Sequence, residues 1–417
     1  MSGGRPIIGW ILPALIAGAG CGGSSPASAP EPTTLAVVDS THHVDSLARE
    51  PMVAEHPNGT LFVAGYGQPG PKLWKSADSG RSWQRVAVGT EADGAVGNSD
   101  VDLAVGPDGT LYFITMGYDR TRSEGTHIAI GVSHDVGGTW AWTRLSTTRF
   151  DDRPWVEVAP NGTAHAIWND GSGVSYAVST DTGRTWREQP KIHPSGGSSH
   201  LAVGPAGEIA VRIVPLSASG NKIDRETDLV AVSVDGGATW EKHAAPGQRV
   251  WGFPLGNPKD LPRWVEPLAF DGRGLLYYLW SEGTDLWLGW SADRGTTWAT
   301  ARIVHSDVSL YFPYLIARGS GELIASWAAG RGDSLRAQVA RIERRDGQAP
   351  EIVLAPPLVP QSWGLPELTP GDAPVRDAAG EYFATTFLRG DGVAVVTPIQ
   401  DAAGRRFGFS FWRLVPR

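Results

Sequence analysis

Arginine, carboxylate and tyrosine side chains recur in this sequence just ahead of short alternating apolar runs. Arg49 stands with Glu50 and Pro51. Asp100 and Asp102 follow, then Asp152 and Arg153 inside an Asp-Asp-Arg-Pro-Trp stretch. Arg263 and Glu266 lie in Arg-Trp-Val-Glu-Pro, and Tyr311 and Tyr314 come later. Ser198, Ser199 and His200 hold the same place once, and Asp372 with Arg376 closes the series. Guanidinium groups grip carboxylates through paired hydrogen bonds. Carboxylates do acid–base work, and groups of these kinds converging on one place make a site for a polar ligand.

Other chemistries find little support. There is no His-Glu-x-x-His, no paired-cysteine motif, no phosphate-binding glycine loop and no nucleophile elbow. His42-His43 is expected to be a solvated loop rather than a metal site. Asp100-Val-Asp102 offers too few oxygens for a calcium cage, so neither metal nor cofactor is expected. Trp251 and Trp363, in the longer loops, are candidates for stacking on sugar rings or for burial beneath a loop.

The elements that must position these residues are hairpins. Seven segments, 53–66, 103–115, 156–168, 201–213, 268–280, 315–327 and 375–387, show period-two apolar alternation, most of them around a turn containing glycine. Five are followed by Ser-x-Asp-x-Gly-x-(Ser/Thr)-Trp, starting at Ser76, Ser133, Ser179, Ser233 and Ser291, 46 to 58 residues apart. Aspartate folds its carboxylate back onto backbone N–H groups, glycine takes a positive φ, and tryptophan packs below. A spacing near fifty is that of a four-stranded propeller blade. The expected fold is all-β, a β-propeller of seven blades, with six as the alternative and five blades carrying the motif. The strand at 35–38 is a candidate to complete the last sheet, and 348–370 reads as a long loop.

The motif resembles the BNR/Asp-box repeat of sialidase-like propellers. The resemblance implies structural roles for Asp78, Asp135, Asp181, Asp235 and Asp293, on the rim between a blade's outer strands. It further implies a sialidase-type site with three arginines clamping a carboxylate, for which Arg49, Arg153 and Arg263 are the candidates. Tyr311 or Tyr314 would be the nucleophile, Glu266 its base, and Asp100 the acid/base. Arg153 has a second reading, in which it pairs with neighbouring carboxylates and braces the strand while Trp155 packs.

The N-terminus reads as an export signal over 1–20: Arg5 precedes a short apolar run interrupted by Pro13, too short to span a bilayer. Cys21, the only cysteine, follows Gly18-Ala19-Gly20 in a sequence resembling a bacterial lipobox. Lipidation at Cys21 is expected, with 21–34 as the anchor cysteine and tether and 35–417 as one propeller domain; without it the protein would be secreted.

Bulk composition agrees with this picture. The 417 residues include 53 Gly, 31 Pro and 18 Trp, with 19% charged residues and a net charge of −8. Turn-formers and aromatics dominate, and the absence of a basic stripe argues against nucleic acid. The expected partner is a glycan or glycoconjugate, met by a monomer that touches a membrane only through its lipid. Three functions are open: an exo-α-sialidase-type hydrolase at the channel mouth, a non-catalytic glycan- or protein-binding module, and a hydrolase using paired carboxylates such as Asp100 and Asp152.

Overall fold

The computed structural model describes residues 34–45, 49–67, 70–215, 227–250, 265–330, 336–358, 383–400 and 407–417. Cys21, Arg263, Asp372, Arg376, Trp251 and Trp363 lie outside the described residues.

Seven four-stranded antiparallel sheets make a seven-bladed β-propeller. Their first strands are Arg49–Glu55, Ser99–Val105, Asp152–Val158, Gly197–Val203, Leu268–Phe270, Ser309–Arg318 and Thr385–Phe387. Each touches the next in turn, and the last touches the first, so these are the inner strands around a central channel. The second strands are buried on both faces between neighbouring blades. Leu61–Tyr66, Ala164–Asn169 and Ile209–Val214 are buried throughout, which is why they read as nearly unbroken apolar runs. Fourth strands such as Gln84–Arg85 and Glu241–Ala244 are largely exposed and correspondingly polar. Buried clusters join neighbouring blades, one across blades 2 and 3 and another across blades 4 and 5.

The five Ser-x-Asp turns connect third to fourth strands in blades 1 to 5. Their bonding is the same in every copy. The serine Oγ donates to the aspartate at 2.7–2.8 Å and accepts the glycine N–H at 2.7–2.9 Å. The aspartate also accepts the N–H and hydroxyl of the Ser or Thr four residues on. These bonds hold all five carboxyls down at about 2, ionised and committed to backbone. The turns also join blades. A Cβ on Gly237 would lie 2.2 Å from the Tyr176 ring of the preceding blade, and Tyr176 donates its hydroxyl to Gly236 O at 3.0 Å. Only glycine permits that approach.

Blade 7 is closed by the N-terminal strand, Leu35–Asp45, paired antiparallel with Phe407–Pro416. The strand runs well past the segment 35–38 seen in the sequence. It also takes in His42 and His43, so both lie in a strand and not a loop, although His42 stays exposed. His42 Nδ1 bonds Ser410 Oγ at 2.7 Å, and the His43 ring packs against Trp74 and Phe409. The seventh hairpin is shifted as well. Thr385–Phe387 is its first strand and pairs with Val393–Gln400, so the turn follows Phe387 instead of preceding it.

Strand alternation sorts the connections. Turns between first and second and between third and fourth strands share one face. The heads of the inner strands open on the other.

Candidate binding site in the channel mouth

Three inner strands begin with the same backbone distortion. Glu50, Arg153 and Phe312 have φ of 47°, 48° and 51°, each precedes a proline, and the ladder register slips at each point. Positive φ in residues of this bulk costs on the order of 1–3 kcal/mol each. The bulges stand at the mouth in blades 1, 3 and 6. Arg49 lies there with its guanidinium 5.7 Å from the Tyr66 ring centroid. Arg153 Nε is 3.6 Å from the Asp152 carboxylate. Asp100 is half-buried and accepts from Ser99 Oγ at 3.2 Å; Tyr311, also half-buried, packs against Phe312.

One step below the mouth, ladder register aligns Met52, Asp102, Trp155, His200, Pro267 and Tyr314 across blades 1 to 6. Side chains from non-neighbouring blades meet here, which can happen only across the channel. The His200 ring, from blade 4, lies 4.9 Å from Trp155 and 5.8 Å from Tyr314 of blade 6. Asp102 and His200 use equivalent positions to tie their blade to the next. Asp102 accepts the N–H of Val156 at 2.9 Å and of Leu103 at 2.8 Å. His200 Nδ1 accepts, more weakly, from Leu268 N–H at 3.5 Å. Burial pushes the Asp102 carboxyl up to about 7 against those two donors. Burial and the nearby Arg212 charge push His200 down to about 3. The imidazole is therefore neutral, with its proton on Nε2, a buried atom without a hydrogen-bond partner.

Two residues further along, the equivalent positions are Ala54, Ala104, Ala202, Ala269, Ile316 and Thr386, with Glu157 in blade 3. Small side chains widen the channel at this level, and Glu157 is exposed in it. The surrounding protein and the Asp102 charge push its carboxyl above the ordinary range. Access to channel solvent softens the first effect. Burial, with the charges of Asp102 and Glu157, holds the Tyr314 phenol well above its usual value.

Glu266 lies elsewhere, in a sealed network between blades 4 and 5. Its Oε2 accepts from Tyr278 OH at 2.7 Å and from Arg249 Nη2 at 2.6 Å, and Arg212 Nη2 is 3.1 Å away. Arg212 also meets Asp228 at 3.2 Å. Arg212 and Glu266 are 0% exposed. Burial works against the Arg212 charge, but Asp228, Tyr278 and Glu266 raise its pKa nonetheless. Glu266 is thus brought to Tyr278, not to Tyr311. Among the described residues, two positive and two negative groups meet there.

No protein-family model and no curated protein matches the sequence. Among solved structures, the chain is similar to a protein of unknown function from Dyadobacter fermentans, at 13% identity and a TM-score of 0.51 over 92% of this chain and 100% of that one. It is equally similar to the GH93 α-L-arabinofuranosidase of Fusarium graminearum, in complex with arabinobiose, at 13% identity and a TM-score of 0.51 over 91% and 98%. At such identities the likeness is one of fold.

Sequence reasoning named Asp102, Trp155, His200 and Tyr314 among the mouth residues but passed over Glu157, Arg212, Asp228, Arg249 and Tyr278. Two signals were present. Glu157 stands where four of the other hairpins carry alanine, and Arg212 interrupts the apolar run Ile209–Val214.

Proposed function

We propose that this chain is a carbohydrate-binding propeller of BNR/Asp-box type, exported and held to a membrane by lipid on Cys21, which receives a glycan at the channel mouth. The observation that supports this most is the convergence of Trp155, His200, Tyr314, Asp102 and Glu157 across the channel. The half-buried Tyr314 ring and the exposed Glu157 carboxyl are groups that a polyhydroxylated ring can meet on its apolar and polar sides. Trp155, His200 and Asp102 are buried and set the wall around them. The strained bulges at Glu50, Arg153 and Phe312 support a mouth shaped for binding. The carbohydrate-complexed arabinofuranosidase of similar fold adds an analogy, no more.

An exo-sialidase is the second reading, favoured by Arg49 and Arg153 at the mouth. The deciding experiment is binding of the full chain to a panel of neutral, amino and sialylated oligosaccharides, with turnover of a fluorogenic sialoside alongside. The binding reading predicts that Tyr314→Ala weakens glycan affinity by about tenfold, the worth of one stacking ring. Folded protein that binds no glycan refutes it. Sialoside turnover abolished by Arg49→Ala would establish the second reading in its place.

A further inference from the structure

The inner strands supply, at the two levels below the mouth, two carboxyls and no cationic side chain. Asp102 is buried and fixed by backbone donors. Glu157 projects into the widened ring of small residues, exposed. The half-buried Tyr314 lies within reach of its charge. Arg212, a cation behind this wall, pairs with His200 across the strand ladder. Its charge is taken up by Asp228 and Glu266. His200 itself is neutral, so among the described inner-strand residues of these two levels no cation offsets Glu157 when it ionises. His200 adds an independent pointer to a ligand. It is 6% exposed, its Nδ1 is committed to the wall, and its Nε2–H has no partner beside Trp155 and Tyr314.

We infer that the chamber at Glu157 takes the protonated amine of an amino sugar, with a neighbouring hydroxyl oxygen accepting the His200 Nε2–H. This rests on the channel being the glycan site and narrows its ligand class. The ammonium meets the Glu157 carboxylate and the π face of Tyr314. An incoming positive charge favours the ionised form of Glu157, which the surrounding protein and Asp102 disfavour. An anionic sugar, such as one carrying a carboxylate, is repelled by the same groups.

The test is affinity of the full chain at pH 7 for glucosamine, N-acetylglucosamine and glucose, with ethanolammonium as an amine that is not a sugar. Glucosamine is expected to bind about tenfold more tightly than either neutral sugar. In Glu157→Gln that preference should fall below about twofold. Glu157 is exposed, so the variant is expected to melt with the wild type; if it does not, the order of the three sugars on the wild type decides alone. Equal binding of glucosamine and glucose overturns the inference and leaves the glycan reading standing. Ethanolammonium binding as tightly as glucosamine, with no neutral sugar bound, overturns the glycan reading and this inference with it. Binding of none of them overturns both.

Discussion

Replacing Arg212 by methionine tests whether the blade 4–blade 5 network acts as a brace. The guanidinium is 0% exposed and lies 3.2 Å from Asp228 and 3.1 Å from Glu266. Methionine fills much of the same volume but deprives two buried carboxylates, Asp228 and Glu266, of the guanidinium between them. Breaking a buried pair by removing one partner costs about 3–5 kcal/mol. For a ring of this size the unfolding entropy is about 0.8 kcal/mol per kelvin, so the melting temperature should fall by about 4–6 °C. Urea unfolding followed by tryptophan fluorescence gives the free energy directly. Glu266→Gln should be destabilising alone, yet the double variant should be more stable than the two losses added, by at least about 1 kcal/mol. Glycan affinity, measured well below the transition, should stay within about twofold, because no atom of Arg212 reaches solvent. A loss under about 1 kcal/mol for Arg212→Met, or strict additivity in the double variant, would refute the brace.

Two further perturbations bear on the channel and the turns. The Asp102 carboxyl is raised to about 7 in the folded state. It therefore contributes stability at low pH that is lost as pH rises from about 4 to about 7, at about 1.4 kcal/mol per pH unit. Asp102→Asn removes that titration, so its stability relative to wild type should climb across the same window. His200, held down at about 3, acts in the opposite sense but equally in both proteins, and drops out of the difference. Parallel pH–stability curves would contradict the shift. In the turns, the residue before the glycine has φ near 60° in every copy: Ser79, Val136, Thr182 and Arg294, with Gly236 in blade 4. Nothing lies within 4 Å of a Cβ built on Gly236. Gly236→Val should therefore cost only backbone strain, about 1–2 kcal/mol, read as a lower urea midpoint; an unchanged midpoint would mean that blade 4 relaxes its turn.

The blade pattern was legible because its determinants are local. Five Ser-x-Asp turns and six of the hairpins each specify themselves within a dozen residues, through side chains that bond to their own backbone. The seventh hairpin was misplaced for the same reason. The segment 375–387 alternates well enough to pass as a complete hairpin, and only pairing with Val393–Gln400 shows that Thr385–Phe387 is its first strand. The closing strand was foreseen at 35–38, but its extension through His42 and His43 depends on the partner Phe407–Pro416, hundreds of residues away. Two adjacent histidines read alike in sequence, yet His42 stays exposed beside Ser410 while His43 packs against Trp74 and Phe409.

The candidate site was legible only in part, because it is built by symmetry around an axis. Aligning hairpins correctly gathered Asp102, Trp155, His200 and Tyr314 at one level, since equivalent register positions in a closed ring share a height. It gave no account of which side chains turn inward. Glu157 reads as the solvent-facing polar residue of an ordinary alternating strand, and Ala54, Ala104, Ala202 and Ala269 read as filler. Together they widen the channel around a single carboxylate. Glu266 shows the opposite error. Its position ahead of a proline resembles the other mouth residues, yet Leu268 and not Pro267 begins the strand. The bulge that displaces Glu50, Arg153 and Phe312 is not repeated at Glu266, and its carboxylate is drawn between blades, to the arginine that interrupts Ile209–Val214. A charged residue in a strand buried on both faces requires a partner of opposite sign, so Arg212 was the residue from which that partnership could have been inferred.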